Sequence, residues 1–94
     1  MITCMISWRM SATTWEATLN GDTWQLMGWR TSRTDDTAQR VGLCEGEIRE
    51  TMENVKPMVA IHKPAVCSNV LAWLVNVTRL PREEETVCLD CGVP

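Results

Sequence analysis

The sequence predicts an α+β fold, with a single domain over residues 1–94. It consists of a three-stranded antiparallel meander over about 2–31, two helices over about 37–56 and 64–80, and a short C-terminal strand or knuckle. Three observations predict it. Apolar and polar residues alternate through the first thirty positions and are interrupted by Asn20-Gly21. From Ala38 the apolar spacing changes to three and four. The chain closes on Cys88-Leu89-Asp90-Cys91-Gly92. Strands followed by helices is the order expected when helices cover one face of a small antiparallel sheet.

In "ITCMISWRM" the even positions Ile2, Cys4, Ile6, Trp8 and Met10 are apolar, while Thr3, Ser7 and Arg9 are polar and Met5 is the exception. Period two marks a strand with one buried face. Asn20-Gly21 is a strong hairpin signal, because both residues accept the positive φ of a type I′ turn. Pairing around it sets Leu19 opposite Asp22, Ala17 opposite Trp24 and Trp15 opposite Leu26. A tight turn at Ser11-Ala12, though poor in turn chemistry, sets Trp8 against Trp15 and Ile6 against Ala17 with the same parity. One apolar face results: Cys4, Ile6, Trp8, Trp15, Ala17, Leu19, Trp24 and Leu26. The other carries Thr14, Glu16, Thr18, Thr23 and Gln25, and continued alternation adds Met27 and Trp29 to it, beside Arg9 and Arg30.

"TSRTDD" reads as a loop in which Asp35 or Asp36 caps a helix. Ala38, Val41, Cys44, Ile48, Met52 and Val55 then lie on one helical face. Gly42 and Gly46 interrupt it, each costing roughly 1 kcal/mol relative to Ala, so the firm helix is expected to begin near Glu45 or to be split. Lys56-Pro57 ends it. "MVAIH" (58–62) reads as a strand or an extended link. Pro64 suits the first position of a second helix, with Cys67, Val70, Leu71, Leu74 and Val77 as its buried stripe. Pro81 and Glu83-Glu84-Glu85 end that helix in solvent.

The strands of "WEATLNGDTWQLMGW", which carry Trp ahead of a helix, loosely resemble the AP2-type DNA-binding domains. That resemblance implies a nucleic-acid-binding sheet, the alternative function carried here. The face such a sheet would use holds Thr, Glu and Gln where that family has an Arg cluster. Charge also argues against strong nucleic-acid binding. Residues 1–40 carry four Arg against four acids, and residues 41–94 carry five basic against eight acidic residues, for a net charge of −3. "MITCMISWRM" lacks an apolar core after a basic start, so no leader is expected. "VLAWLV" (70–75) is far too short for a membrane span. Five Cys cannot all pair as disulfides, and the expected location is the cytoplasm. Five Trp with neither Phe nor Tyr is a bias expected of a young, overprinted, viral or designed coding sequence.

The Cys-x-x-Cys at Cys88 and Cys91 is one half of a zinc-site pattern. His62 and Cys67, separated by four residues, offer the other half across a 20-residue gap. Three thiolates and an imidazole complete a closed tetrahedral zinc shell, so His62, Cys67, Cys88 and Cys91 are the expected metal ligands. The competing reading makes Cys67 a core thiol and His62 a strand-end residue. A redox role for Cys88/Cys91 needs a helix N-terminus that Gly92-Val93-Pro94 does not supply. A small cysteine-dependent enzyme is a second alternative, but no strained nucleophile turn, Gly-rich loop or carboxylate pair accompanies the thiols. No catalytic or other cofactor-binding residue is therefore assigned. Trp, Met and Arg are enriched among interface anchors, which marks Arg9, Met27, Trp29 and Arg30 as a protein-binding surface. The expected function is a small non-enzymatic regulator or inhibitor that binds another protein, with a zinc-stabilised form as a subordinate variant of that reading.

Overall fold

The computed structural model describes residues 2–21, 23–54, 63–83 and 86–92. In chain order these form β1 (Ile2–Met10), β2 (Thr13–Asn20), β3 (Thr23–Thr31), α1 (Thr37–Glu53), α2 (Lys63–Thr78) and β4 (Val87–Cys88). The strands make one antiparallel sheet in the order β3-β2-β1-β4. Its inner face buries Ile6, Trp8, Met10, Trp15, Ala17, Leu19, Trp24 and Leu26 against Val41, Ile48 and Met52 of α1 and Val66, Cys67, Val70, Leu71 and Leu74 of α2. The α+β architecture is therefore the one the alternating and helical patterns predict.

The first hairpin pairs Trp8 with Trp15 and Ile6 with Ala17, as expected. Its turn residues Ser11 and Ala12 both have positive φ, 51° and 57°. A non-glycine residue there costs roughly 1–2 kcal/mol. Contacts from distant parts of the chain hold the turn in place. The Ser11 hydroxyl donates to the Pro81 carbonyl and to Glu83 Oε1, both at 3.4 Å, and the Ala12 carbonyl accepts the Ser32 N–H at 3.2 Å.

The second hairpin corrects the expected register. Asn20 pairs with Thr23, Leu19 with Trp24 and Ala17 with Leu26, so the turn lies one residue further along. Parity survives this shift, but not the bulge that follows. Ala17 faces Leu26 and Glu16 faces Gly28, which leaves Met27 as an extra residue and inverts the alternation beyond it. Trp29 now pairs with Trp15 and packs against the core, whereas the unbroken alternation placed it on the polar face. Helix α1 explains the inversion: the Leu26 carbonyl accepts Arg49 Nη1 at 2.7 Å, and Trp29 Nε1 donates to the Glu45 carboxylate. Glu45 and Arg49 lie 3.6 Å apart one helical turn from each other, so one ion pair clamps both sides of the bulge.

α1 runs unbroken through Gly42 and Gly46, contrary to the expected late start or split. Burial of Val41, Ile48 and Met52 outweighs the propensity cost of the two glycines, and Gly42 lies under Trp29. Asp36 occupies the N-cap position without a side-chain cap bond, while the Asp35 carboxylate accepts the Thr37 N–H at 3.1 Å. The helix stops at Glu53, short of residue 56. α2 begins at Lys63 and stops at Thr78, short of residue 80, where the Thr78 hydroxyl donates to the Leu74 carbonyl at 2.6 Å and Arg79 turns to φ 57°. The "MVAIH" segment, Val55, Glu84 and Glu85 lie outside the described residues.

Candidate metal centre

Cys67 lies on the buried stripe of α2, one position after Val66 and three before Val70. Cys88 ends β4, which pairs with the outer edge of β1 as Trp8↔Cys88 and Arg9↔Val87. Beyond β4 the chain turns sharply. The Leu89 N–H donates to the Ser7 carbonyl at 2.8 Å, the Ser7 N–H donates to the Asp90 carboxylate, and the Gly92 N–H returns to the Cys88 carbonyl at 2.8 Å. Gly92 adopts φ +70°, a conformation that favours glycine, and this closes the loop around Cys91. The knuckle is thus held to the sheet edge, and α2 brings Cys67 to it.

The three sulfurs of Cys67, Cys88 and Cys91 all lie within 4.8 Å of one another, and those of Cys67 and Cys91 are 3.2 Å apart. Thiolates around one zinc at about 2.3 Å stand roughly 3.8 Å from each other, so the cluster needs only sub-ångström adjustment to hold an ion. Cys67 and Cys88 are fully buried and Cys91 is half-buried. Burial pushes the Cys67 thiol well above its ordinary range, and hydrogen bonding of its S–H with the Cys88 and Cys91 sulfurs pushes it further. Burial also raises Cys88, against backbone N–H groups of Asp90 and Cys91 that point at its sulfur and favour the thiolate. The buried Cys67 and Cys88 thiols resist ionisation, because a new negative charge on either lacks a counter-charge. A bound cation supplies that charge. These three close cysteines could hold a metal ion.

Of the four expected ligands the structure therefore gathers Cys67, Cys88 and Cys91, while His62 lies outside the described residues. Cys44 stays apart from the cluster, and its thiol contacts the Val77 carbonyl at 3.3 Å. The expected interface set divides. Arg9, Met27 and Arg30 are exposed on the open face of the sheet, whereas Trp29 lies half-buried beneath α1. Asp90 and the Glu45–Arg49 pair were not singled out from the sequence. For the bulge a signal existed, since an isolated glycine inside a strand pattern, Gly28, marks such irregularities.

No protein-family model, curated protein or solved structure matches this chain. Among the described residues, no helix is long and apolar enough to cross a membrane.

Proposed function

We propose that this chain is a small, non-enzymatic protein-binding regulator whose fold is stabilised by one zinc ion on Cys67, Cys88 and Cys91. His62 is the side chain the sequence offers for the fourth position. The observation that carries this reading is the convergence of three sulfurs within 4.8 Å at a buried junction of α2, β4 and β1. Ligands closed off in this way suit a structural ion, whereas a catalytic zinc keeps a position open to substrate. The open face of the sheet is then the surface left for a partner, and it exposes Met5 and Met27 at 51% and 58%.

Metal analysis of purified protein should find one equivalent of zinc. A chelator should lower the melting temperature, since an ion held only by the folded chain adds its binding free energy to folding. Cys91→Ser should act like the chelator, and Cys44→Ser should leave the metal in place. A captured partner should be lost with Met27→Asp at unchanged melting temperature. Metal-free protein insensitive to chelator would refute the zinc half of the reading, and partner capture indifferent to Met27→Asp would refute the surface half.

A further inference from the structure

The strand register sets Arg9 opposite Thr14 and Thr14 opposite Arg30, which forms one row across β1, β2 and β3 on the open face. Adjacent strands lie about 4.8 Å apart, so the two arginine backbones stand roughly 10 Å from each other. Arg9 has no ion pair among the described residues, and Arg30, 79% exposed, meets Glu16 at 3.6 Å. Arg9 and Arg30 both line a groove of about 380 Å³, together with Ala12, Thr14, Thr31 and Ser32. A second depression of about 210 Å³ shares Thr14 and Arg30 with it and is also lined by Glu16, Met27 and Gly28. The bulge opens this second space, because Met27 is displaced outward and a Cβ on Gly28 would meet nothing within 4 Å.

We propose that this continuous depression is the docking site for an acidic peptide segment. One Asp or Glu carboxylate lies between Arg9 and Arg30, and an apolar side chain covers Met27. Charge complementarity selects the occupant. The two guanidiniums and Glu16 sum to +1, which one carboxylate neutralises and a phosphate dianion overshoots. The chain as a whole carries −3, so the row is a local exception to a field that repels acids. Met27 and Arg30 are three residues apart on β3, roughly 10 Å of extended chain, so the apolar and acidic residues of the ligand should be about three positions apart. The inference rests on the protein-binding reading and names the partner's chemistry.

The test is a titration of the full, isotope-labelled chain with a short capped peptide bearing a leucine and, about three positions on, a glutamate. Amide shifts should concentrate at Arg9, Thr14, Met27 and Arg30. Replacing the glutamate by glutamine, or the protein's Arg9→Gln or Arg30→Gln, should each weaken binding roughly three- to fivefold. That difference should collapse near 1 M salt, where screening lengths fall to about 3 Å. Equal binding of the glutamate and glutamine peptides, shifts elsewhere, no binding at millimolar peptide, or tighter binding of a phosphoserine version would each overturn the proposal. A captured partner insensitive to both arginine substitutions but lost with Met27→Asp would also overturn it, and would leave the protein-binding reading standing.

Discussion

The N-terminal meander and the C-terminal segment from α2 to the knuckle are built on opposite terms. In the meander, strands pair with their chain neighbours across tight connections, and three tryptophans from three successive strands share one buried face. In the C-terminal segment the defining contacts are all remote. Cys88 pairs with Trp8, Asp90 takes an N–H from Ser7, and Cys91 meets Cys67 across 24 positions. Local pairing is entropically inexpensive because it closes short loops, whereas remote contacts must offset a longer closure. The meander should therefore carry the stability of the fold, and the knuckle should depend on whatever it binds.

The strongest way to break this contrast is Trp15→Ala. Trp15 is fully buried between Trp8 and Trp29, so its truncation should cost about 3–5 kcal/mol, a large share of the stability of a chain this size. Urea denaturation should show global loss, with the helices unfolding alongside the sheet. Metal removal should act more selectively. At free zinc a hundred times Kd, linkage contributes about 2.7 kcal/mol. Hydrogen exchange after chelation should accelerate first at Leu89 and Gly92, with the β2–β3 amides still protected. Equal acceleration in both regions would erase the distinction.

The two hairpin turns sharpen the comparison on a smaller scale. Gly21→Ala forces a side chain into φ +69° and should destabilise by about 1 kcal/mol, whereas Ala12→Gly relieves a comparable strain and should stabilise by up to about 1 kcal/mol. Denaturant midpoints of the two variants should move in opposite directions. The smallest effect is at the entrance to α1. The Thr37 hydroxyl, then Arg33, then the Thr37 N–H hold the exposed Asp35 carboxyl down to about 2, against an ordinary 3.8. A depressed folded pKa means its contribution is complete above about pH 4 and is lost as the pH falls towards 2. The stability gap between wild type and Asp35→Asn should therefore narrow over that interval. A constant gap would show that Asp35 does not titrate with folding.

The same contrast governs how much could be read from the sequence. The facing of β1 and β2, the Ser11-Ala12 turn and the buried positions Val41, Ile48 and Met52 of α1 and Cys67, Val70, Leu71 and Leu74 of α2 follow from local signals and the structure places them accordingly, whereas the second turn lies one residue beyond Asn20-Gly21. Unbroken alternation misplaces Trp29 because its facing depends on a bulge held by Arg49 and Glu45, which lie on a helix roughly twenty residues away. Alternation carries no information about such a clamp. Among the expected metal ligands, spacing alone put Cys67 with Cys88 and Cys91, and α2 brings them together. What spacing could not show is the way the knuckle docks: the Ser7 N–H donates to the Asp90 carboxylate across the sheet edge, and neither residue type announces it.

The indole N–H groups of Trp8, Trp15 and Trp24 are buried with no hydrogen-bond partner among the described residues. Sealed donors of this kind exchange with solvent only when the sheet opens, and indoles without polar neighbours emit toward the blue. Trp29, which donates to a carboxylate, and the half-buried Trp73 are the only other ring chromophores, because the chain has neither tyrosine nor phenylalanine. Near-ultraviolet absorption by its aromatic rings thus reports on tryptophan alone. The wavelength of that glow is a direct optical gauge of whether water has reached the inner face of the sheet.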